Sequence, residues 1–213
     1  MNLLQQRKQL VETLEKHNRI KTDKIKKAFL QTPREKFIPE KIKKYAYIDT
    51  PLEIGNNQTI SAPHMIAIMC EILDIKPGQK ILEIGAGSGY HAAIVAKITG
   101  ETGHVYTIER HETLAKTAKD NLKNAGITNV TVETGDGSIG LEKHAPYDRI
   151  YVTCASPSIP PPFIEQLKDP GILLIPIGDK YCILKSIEKK QEKIITHEHT
   201  SCVFVPLIGK YGF

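Results

Sequence analysis

Residues 80–90 read Lys-Ile-Leu-Glu-Ile-Gly-Ala-Gly-Ser-Gly-Tyr, and no other stretch restricts the fold of the chain so tightly. Ile81, Leu82 and Ile84 make a short apolar run that predicts a buried strand. Gly85, Gly87 and Gly89 end it at alternate positions, and Tyr90, Ala93, Ile94, Ala96 and Ile98 then continue at helical spacing. Strand, glycine turn and helix open a βαβ nucleotide-binding unit. Glycines let backbone approach a ligand closely, and the start of a helix offers free N–H groups and a positive dipole end. Glu83, at the carboxyl end of the strand, is expected to put a fixed negative charge beside that ligand. A carboxylate there disfavours a pyrophosphate and favours an amino group or a sulfonium.

From Lys80 onward apolar runs and helical patterns alternate. Strands are expected at 104–109, 129–134, 147–153 and 171–177, and helices at 111–125 and 163–168. Gly126 stops the first of these helices. Segments 181–188 and 193–204 alternate as an antiparallel pair across Lys189-Lys190-Gln191. These patterns predict an α/β fold: a doubly wound, mostly parallel, Rossmann-like sheet with a C-terminal antiparallel hairpin. Ahead of it, residues 3–16 and 22–31 read as amphipathic helices, with Thr22 as the second N-cap and Pro33 as its stop. Gly55-Asn56-Asn57 marks a turn. From Pro63 a mostly apolar helix runs through Leu73, with Pro63 at its first position and Ser61 or Ala62 at the cap. The 213 residues are therefore expected to form one domain, with 1–75 as a helical extension and 76–213 as the α/β core.

Composition narrows the setting. A hydrophobic share of 40% and a charged share of 25% describe a folded soluble chain. No apolar run approaches the ~20 residues of a membrane helix, and the Lys-rich N-terminus lacks an apolar signal region, so a cytoplasmic location without membrane contact is expected. Cys70, Cys154, Cys182 and Cys202 form no CxxC pair and sit in apolar contexts, as buried thiols do. Residues 1–45 carry 13 Lys/Arg against 5 Asp/Glu, whereas the rest carries 16 against 19. The lysines interleave with Leu, Ile and Phe at helical spacing, which describes a solvated helix face.

The glycine spacing is G-x-G-x-G, unlike the G-x-G-x-x-G of nicotinamide sites. Glu109 ends the second core strand, where an acid can take both ribose hydroxyls. Asp136, between Gly135 and Gly137, is placed to meet an adenine edge. Carboxylates at three successive strand ends suit S-adenosylmethionine, which has a cationic amino-acid end and a ribose but no phosphate.

At the level of whole motifs the chain resembles the protein-L-isoaspartate (D-aspartate) O-methyltransferases. The resemblance runs from Arg34-Glu35-Lys36-Phe37-Ile38-Pro39 to Phe204-Val205-Pro206-Leu207. Its most specific string is Gln58-Thr59-Ile60-Ser61-Ala62-Pro63-His64-Met65, which generic methyltransferases of this fold lack. Leu82–Tyr90, Gly135-Asp136-Gly137, Tyr147-Asp148-Arg149-Ile150 and Leu173–Gly178 are also similar to the family. The resemblance implies methyl transfer from S-adenosylmethionine, leaving S-adenosylhomocysteine, to the free carboxylate of isoaspartyl peptides and proteins, with D-aspartyl sites as a second target. The methyl ester starts repair through a succinimide. Ser61 is the implied active-site residue, and Thr59, Ile60, Ser61, Ala62 and His64 the implied substrate segment. Glu83, Gly85, Ala86, Gly87, Ser88, Gly89, Glu109, Arg110, Asp136 and Gly137 are the implied cofactor set, with no metal and a monomeric enzyme. Ile208 stands where relatives often carry a threonine, so no hydroxyl acts there. The tail 209–213 is expected to close over the cleft through its aromatics.

Other chemistries fit less well. A nucleic-acid methyltransferase would share the cofactor motif, but Thr153-Cys154-Ala155-Ser156-Pro157 offers no aromatic to stack on a flipped base. A non-catalytic S-adenosylmethionine-binding protein would not need Ser61. His197 and His199 lack a third ligand, and no G-x-S-x-G elbow is present.

Overall fold

A computed structural model describes residues 1–213. Helix α1 (Leu3–Lys16) is opened by an Asn2/Gln5 capping box and α2 (Asp23–Gln31) ends before Pro33. Two 3-10 turns follow, Arg34–Lys36 and Glu40–Tyr45. Strands β1 (Leu52–Gly55) and β2 (Gln58–Ile60) pair antiparallel about Asn56-Asn57, and α3 (Pro63–Leu73) leaves directly from them. The core then alternates β3 (Lys80–Ile84), α4 (Tyr90–Thr99), β4 (His104–Glu109), α5 (Glu112–Asn124), β5 (Val130–Thr134) and β6 (Tyr147–Val152). It closes with α6 (Pro161–Glu165), β7 (Leu167–Gly178), β8 (Cys182–Lys190) and β9 (Lys193–Cys202).

The seven-stranded sheet has the order β5-β4-β3-β6-β7-β8-β9. Its first five strands are parallel, and β8 and β9 add antiparallel. The chain moves outward from β3 to β5 and then returns to β6 on the other flank of β3. Ligands of open α/β sheets sit outside the strand ends at such a reversal. That crevice lies over Glu83, Ile84 and the glycine turn.

Helix α4 explains the N-terminal helices. All its residues except Lys97 are buried, so an apolar surface remains on the side away from the sheet. Helix α2 packs against that side, and one apolar cluster runs from Leu10, Ile25 and Phe29 through Ile94 to Cys202. No helix is long and apolar enough to cross a membrane.

Local expectations are refined where tertiary partners intervene. Thr22 sits at the N-cap of α2 without a side-chain cap bond. Its N–H and hydroxyl instead donate to Glu71 on α3, at 2.9 and 3.2 Å. The cap of α3 is Ala62, not Ser61. Helix α6 begins two residues before the expected 163, because Pro161 supplies the fixed φ of a first helical position. The β8–β9 turn has positive φ at Gln191 and Glu192, neither a glycine. The Asp169 carboxylate accepts both their N–H groups, at 2.9 and 2.7 Å, and holds the turn.

Candidate active site

The crevice is a cleft open to solvent. It is walled by Gln58–Ser61 and Ile66 on one side and by Glu83–Ser88, Tyr90 and His91 below. Ile108–Arg110, Gly137, Thr153, Cys154 and Val205–Ile208 complete it.

The glycine turn is shaped by backbone need. Gly85 has φ +96°, its N–H donates to Ile108 O, and a side chain there would collide with Thr153 Oγ1. That hydroxyl donates to the carbonyls of Ile84 and Gly85, at 3.0 and 2.8 Å, and fixes the turn against β6. Gly87 has φ +52° and donates its N–H to Glu109 Oε2 at 2.9 Å. Glu109 Oε1 accepts from His111 N at 3.0 Å, so this buried carboxylate ties the turn to the end of β4 while lining the cleft. Gly89 differs. It caps α4 and abuts Leu122 and Ala118 of α5, so it serves helix packing and is not part of the cleft wall.

Glu83 is fully buried, and its carboxyl accepts from Thr107 Oγ1 at 2.6 Å and Tyr151 Oη at 2.9 Å. Burial pushes its pKa up to about 8, outweighing the lowering effect of those two donors. With no cation beside it, Glu83 is therefore mostly protonated at neutral pH, not the fixed negative charge expected from the sequence. A ligand cation is what would ionise it.

Ser61 follows β2 at the cleft edge. Its hydroxyl is not spent on capping α3, since Ala62 holds that place and no side chain caps the helix. The helix start offers no free cradle either. Pro63 lacks an N–H, and the N–H of His64 donates to Asp49 Oδ1 at 2.9 Å. His64 Nδ1 meets the same oxygen at 2.9 Å, and neither His64 nor Ala62 lines the cleft. His64 thus fastens the 49–64 loop.

Asp136 also lies outside the cleft wall. Its Oδ1 accepts from Ser138 N and Oγ, at 2.8 and 2.7 Å, and Oδ2 from Lys210 N at 2.9 Å. Burial opposes ionisation, but these bonds outweigh it and hold the pKa below the usual aspartate value. Oδ1 thus holds the turn at Ser138 and Oδ2 the C-terminal tail. The tail differs from expectation as well. Val205–Ile208 form a strap that walls the cleft, held by Ala155 N to Val205 O and Leu207 N to Ala155 O, both 2.7 Å. Residues 209–213 anchor that strap, and Tyr211 and Phe213 do not line the cleft.

The structure thus gathers Thr59, Ile60, Ser61, Glu83, Gly85, Ala86, Gly87, Ser88, Glu109, Arg110 and Gly137 around one cavity, and leaves Ala62, His64, Gly89 and Asp136 behind it. Sequence reasoning missed Thr107, Tyr151, Thr153 and His91. For His91 a signal existed, a ring with two polar nitrogens in the otherwise apolar run Ala92–Ala96 that follows it. Elsewhere, all four cysteines are free and buried. His199 Nε2 meets Ser186 Oγ at 2.8 Å on β9, remote from the cleft.

Comparison with known proteins decides the family. The model of the protein-L-isoaspartate (D-aspartate) O-methyltransferase family matches residues 5–212. The chain belongs to this family. A protein-L-isoaspartate O-methyltransferase of Methanosarcina mazei is 52% identical over 208 residues, covering 97% of this chain and 85% of the relative. Another, from Archaeoglobus fulgidus, is 49% identical and covers 100% of this chain and 97% of its own. A solved protein-L-isoaspartate O-methyltransferase superposes with a TM-score of 0.90 at 31% identity, over 97% of this chain and 67% of that one. A Plasmodium falciparum structure described as a beta-aspartate methyltransferase in complex with S-adenosyl-L-homocysteine gives 0.85 at 29% identity, over 94% and 97%.

The cleft suits that ligand class on its own atoms. Glycine at 85 and 87 keeps the floor open to backbone approach, and two buried polar atoms of lining residues, Ser88 Oγ and His91 Nδ1, have no partner in the protein. Such atoms are costly to leave unmade, and polar ligand groups satisfy them.

Proposed function

We propose that this chain methylates the free carboxylate of L-isoaspartyl residues in proteins and peptides, with S-adenosylmethionine as donor. The observation that carries this reading is the meeting of two independent segments at one cleft: the glycine turn with Glu83 and Glu109, and the Thr59–Ser61 edge carried by the β1–β2 hairpin.

The chemistry asks for little acid or base power. An α-carboxyl has pKa near ~3.5 and is ionised at neutral pH, so no residue need remove a proton. S-adenosylmethionine supplies an electrophilic methyl group on a sulfonium that leaves as a neutral thioether. The residues of the chain supply position, an effect worth up to ~7–11 kcal/mol when reacting atoms are held in line. Ser61, free of any capping duty, donates its hydroxyl hydrogen to the acceptor carboxylate and orients one oxygen. Glu83 receives the cationic amino group, and Glu109 the ribose hydroxyls, while its bond to Gly87 N–H keeps the turn in place. Arg110 and Gly137 line the same cleft. The strap Val205–Ile208 excludes water from one side.

The loop after β6 speaks against nucleic acid as substrate. Cys154, Ala155 and Ser156 are buried there, and Ala155 is bonded to the strap on both its N–H and C=O. A flipped base would have to displace that ladder. We take the protein to act as a cytoplasmic monomer; light scattering at working concentration tests the monomer. The deciding experiment measures methyl incorporation into an L-isoaspartyl peptide, with the normal aspartyl peptide as control. Methylation of the isoaspartyl form alone is expected, and equal or absent labelling of both refutes the reading.

A further inference from the structure

His91 stands apart from the residues used so far. It lies in the first turn of α4, is 6% exposed, and lines the cleft, yet its Nδ1 has no partner. The ring packs on Tyr151 with centroids 4.5 Å apart, and the hydroxyl of Tyr151 donates to Glu83. His91 is therefore a neighbour of the carboxyl that receives a cation. On its other side, Nε2 lies 3.6 Å from Cys70 Sγ of α3.

The protonation pattern follows from burial. Burial pushes the His91 pKa down to about 3, so the imidazole is neutral and carries one proton. Burial also pushes the Cys70 thiol up, so the sulfur keeps its hydrogen. Both the thiol hydrogen and the thiol sulfur are weak hydrogen-bonding groups, so the contact sets Cys70 beside Nε2 without fixing the direction of the bond. With the thiol hydrogen directed at Nε2, the ring proton sits on Nδ1, a buried nitrogen that has no partner in the protein and belongs to a residue lining the cleft.

We propose that His91 is a cofactor-binding residue whose Nδ1–H donates to the carboxylate of the amino-acid end of S-adenosylmethionine, with Cys70 as the positioning residue that fixes the tautomer. The inference rests on the reading of the cleft as an S-adenosylmethionine site. Glu83 and Glu109 already place two carboxyl groups on the cavity wall, and a ligand that brings a third needs donors to offset the repulsion. The ligand's ammonium goes to Glu83. Its carboxylate, bonded to the same carbon, then needs donors from the same cleft, and the lining residues with unpartnered buried polar atoms are His91, through Nδ1, and Ser88, through its hydroxyl.

The test compares S-adenosylhomocysteine with 5′-methylthioadenosine, which lacks the amino-acid end, by calorimetry on the full chain. His91→Leu should weaken S-adenosylhomocysteine about 10- to 100-fold, the worth of a hydrogen bond to a charged group. Methylthioadenosine should bind the variant as it binds the wild type. His91→Asn, whose amide N–H falls near the Nδ1 position, should recover most of the loss. Unchanged S-adenosylhomocysteine affinity in His91→Leu, or equal loss for both ligands, overturns the proposal. So does an isolated rise in peptide KM, which would assign the donor to the methyl acceptor. Nitrogen NMR of the wild-type ring should show the proton on Nδ1, and a proton on Nε2 refutes the donor role. Failure of the wild type to bind either ligand refutes the cofactor reading itself, and this inference with it.

Discussion

Glu83 makes cofactor binding a pH-dependent event. With a pKa of about 8 when no cation faces it, it must lose a proton before it can pair with the ligand's ammonium. At pH 6 that ionisation costs about 3 kcal/mol, two pH units at 1.36 kcal/mol each. The cost falls as pH rises, so affinity should increase by about one decade per pH unit below pH 7, or about 30-fold between pH 5.5 and 7.0. At pH 7 about nine-tenths of the empty sites are protonated, so each S-adenosylhomocysteine bound should release about 0.9 proton. Calorimetry in buffers of different ionisation enthalpy measures that number directly. Glu83→Gln removes the titrating group while still accepting from Thr107 or Tyr151, so its affinity should be lower and almost flat over the same range. Folding stability moves the other way. A carboxyl whose folded pKa is raised contributes stability below its ordinary value near ~4.5, and this contribution is lost as pH rises towards 8. The empty wild type should therefore lose Tm relative to Glu83→Gln over that window. Zero proton release at pH 7, with parallel pH profiles for wild type and variant, would mean that Glu83 is already ionised in the empty site, and would refute the reasoning.

Three further outcomes follow from the same geometry. Ser61→Ala should lower kcat about 10- to 100-fold, the loss of one donor to a charged acceptor, while S-adenosylhomocysteine affinity by calorimetry stays within about twofold; unaltered turnover on an isoaspartyl peptide would remove Ser61 from the mechanism. Glu109→Ala removes both the clamp on Gly87 N–H and the ribose acceptor, so S-adenosylhomocysteine should bind at least about tenfold more weakly, and an unchanged Kd would sink that role. Asp136→Ala should release the tail, lower Tm by about 2–4 °C, and raise the proteolytic susceptibility of residues 209–213. Because its pKa is held below the ordinary aspartate value, this stabilisation is present above that value and lost as pH falls through the folded one. A tail equally protected in wild type and variant counts against the anchor.

The strap and the buried carboxyl show where sequence reasoning stops. Local pattern exposed the strand–turn–helix of residues 80–99, because glycine is favoured where φ is positive, as at Gly85, and a sheet strand buried on both faces reads as a nearly continuous apolar run. The order of acids along the chain marked Glu83 and Glu109 as strand-end groups for the same reason: a residue at the end of a parallel strand faces the crevice whatever its neighbours are. Asp136 has partners that this logic does not contain. It too follows a strand, but its oxygens are taken by Ser138 and by Lys210, 74 positions away in the chain. No short-range pattern contains such a partner. His64 likewise has a partner the pattern does not show, because Asp49 reaches it from a loop without periodicity.

Sequence alone determined the family, the sheet, the glycine turn and the segment at residues 58–65, since each is written in residues that are neighbours along the chain or follow a fixed period. Tertiary structure decided which of the named residues share a cavity, the charge state of Glu83, and the presence of His91 beside it. Charge state depends on how much water a group retains. Water is excluded from Glu83 by Thr107 and Tyr151 of the flanking strands β4 and β6, with His91 of α4 packed against Tyr151, so the value could be read only once those elements had closed around it.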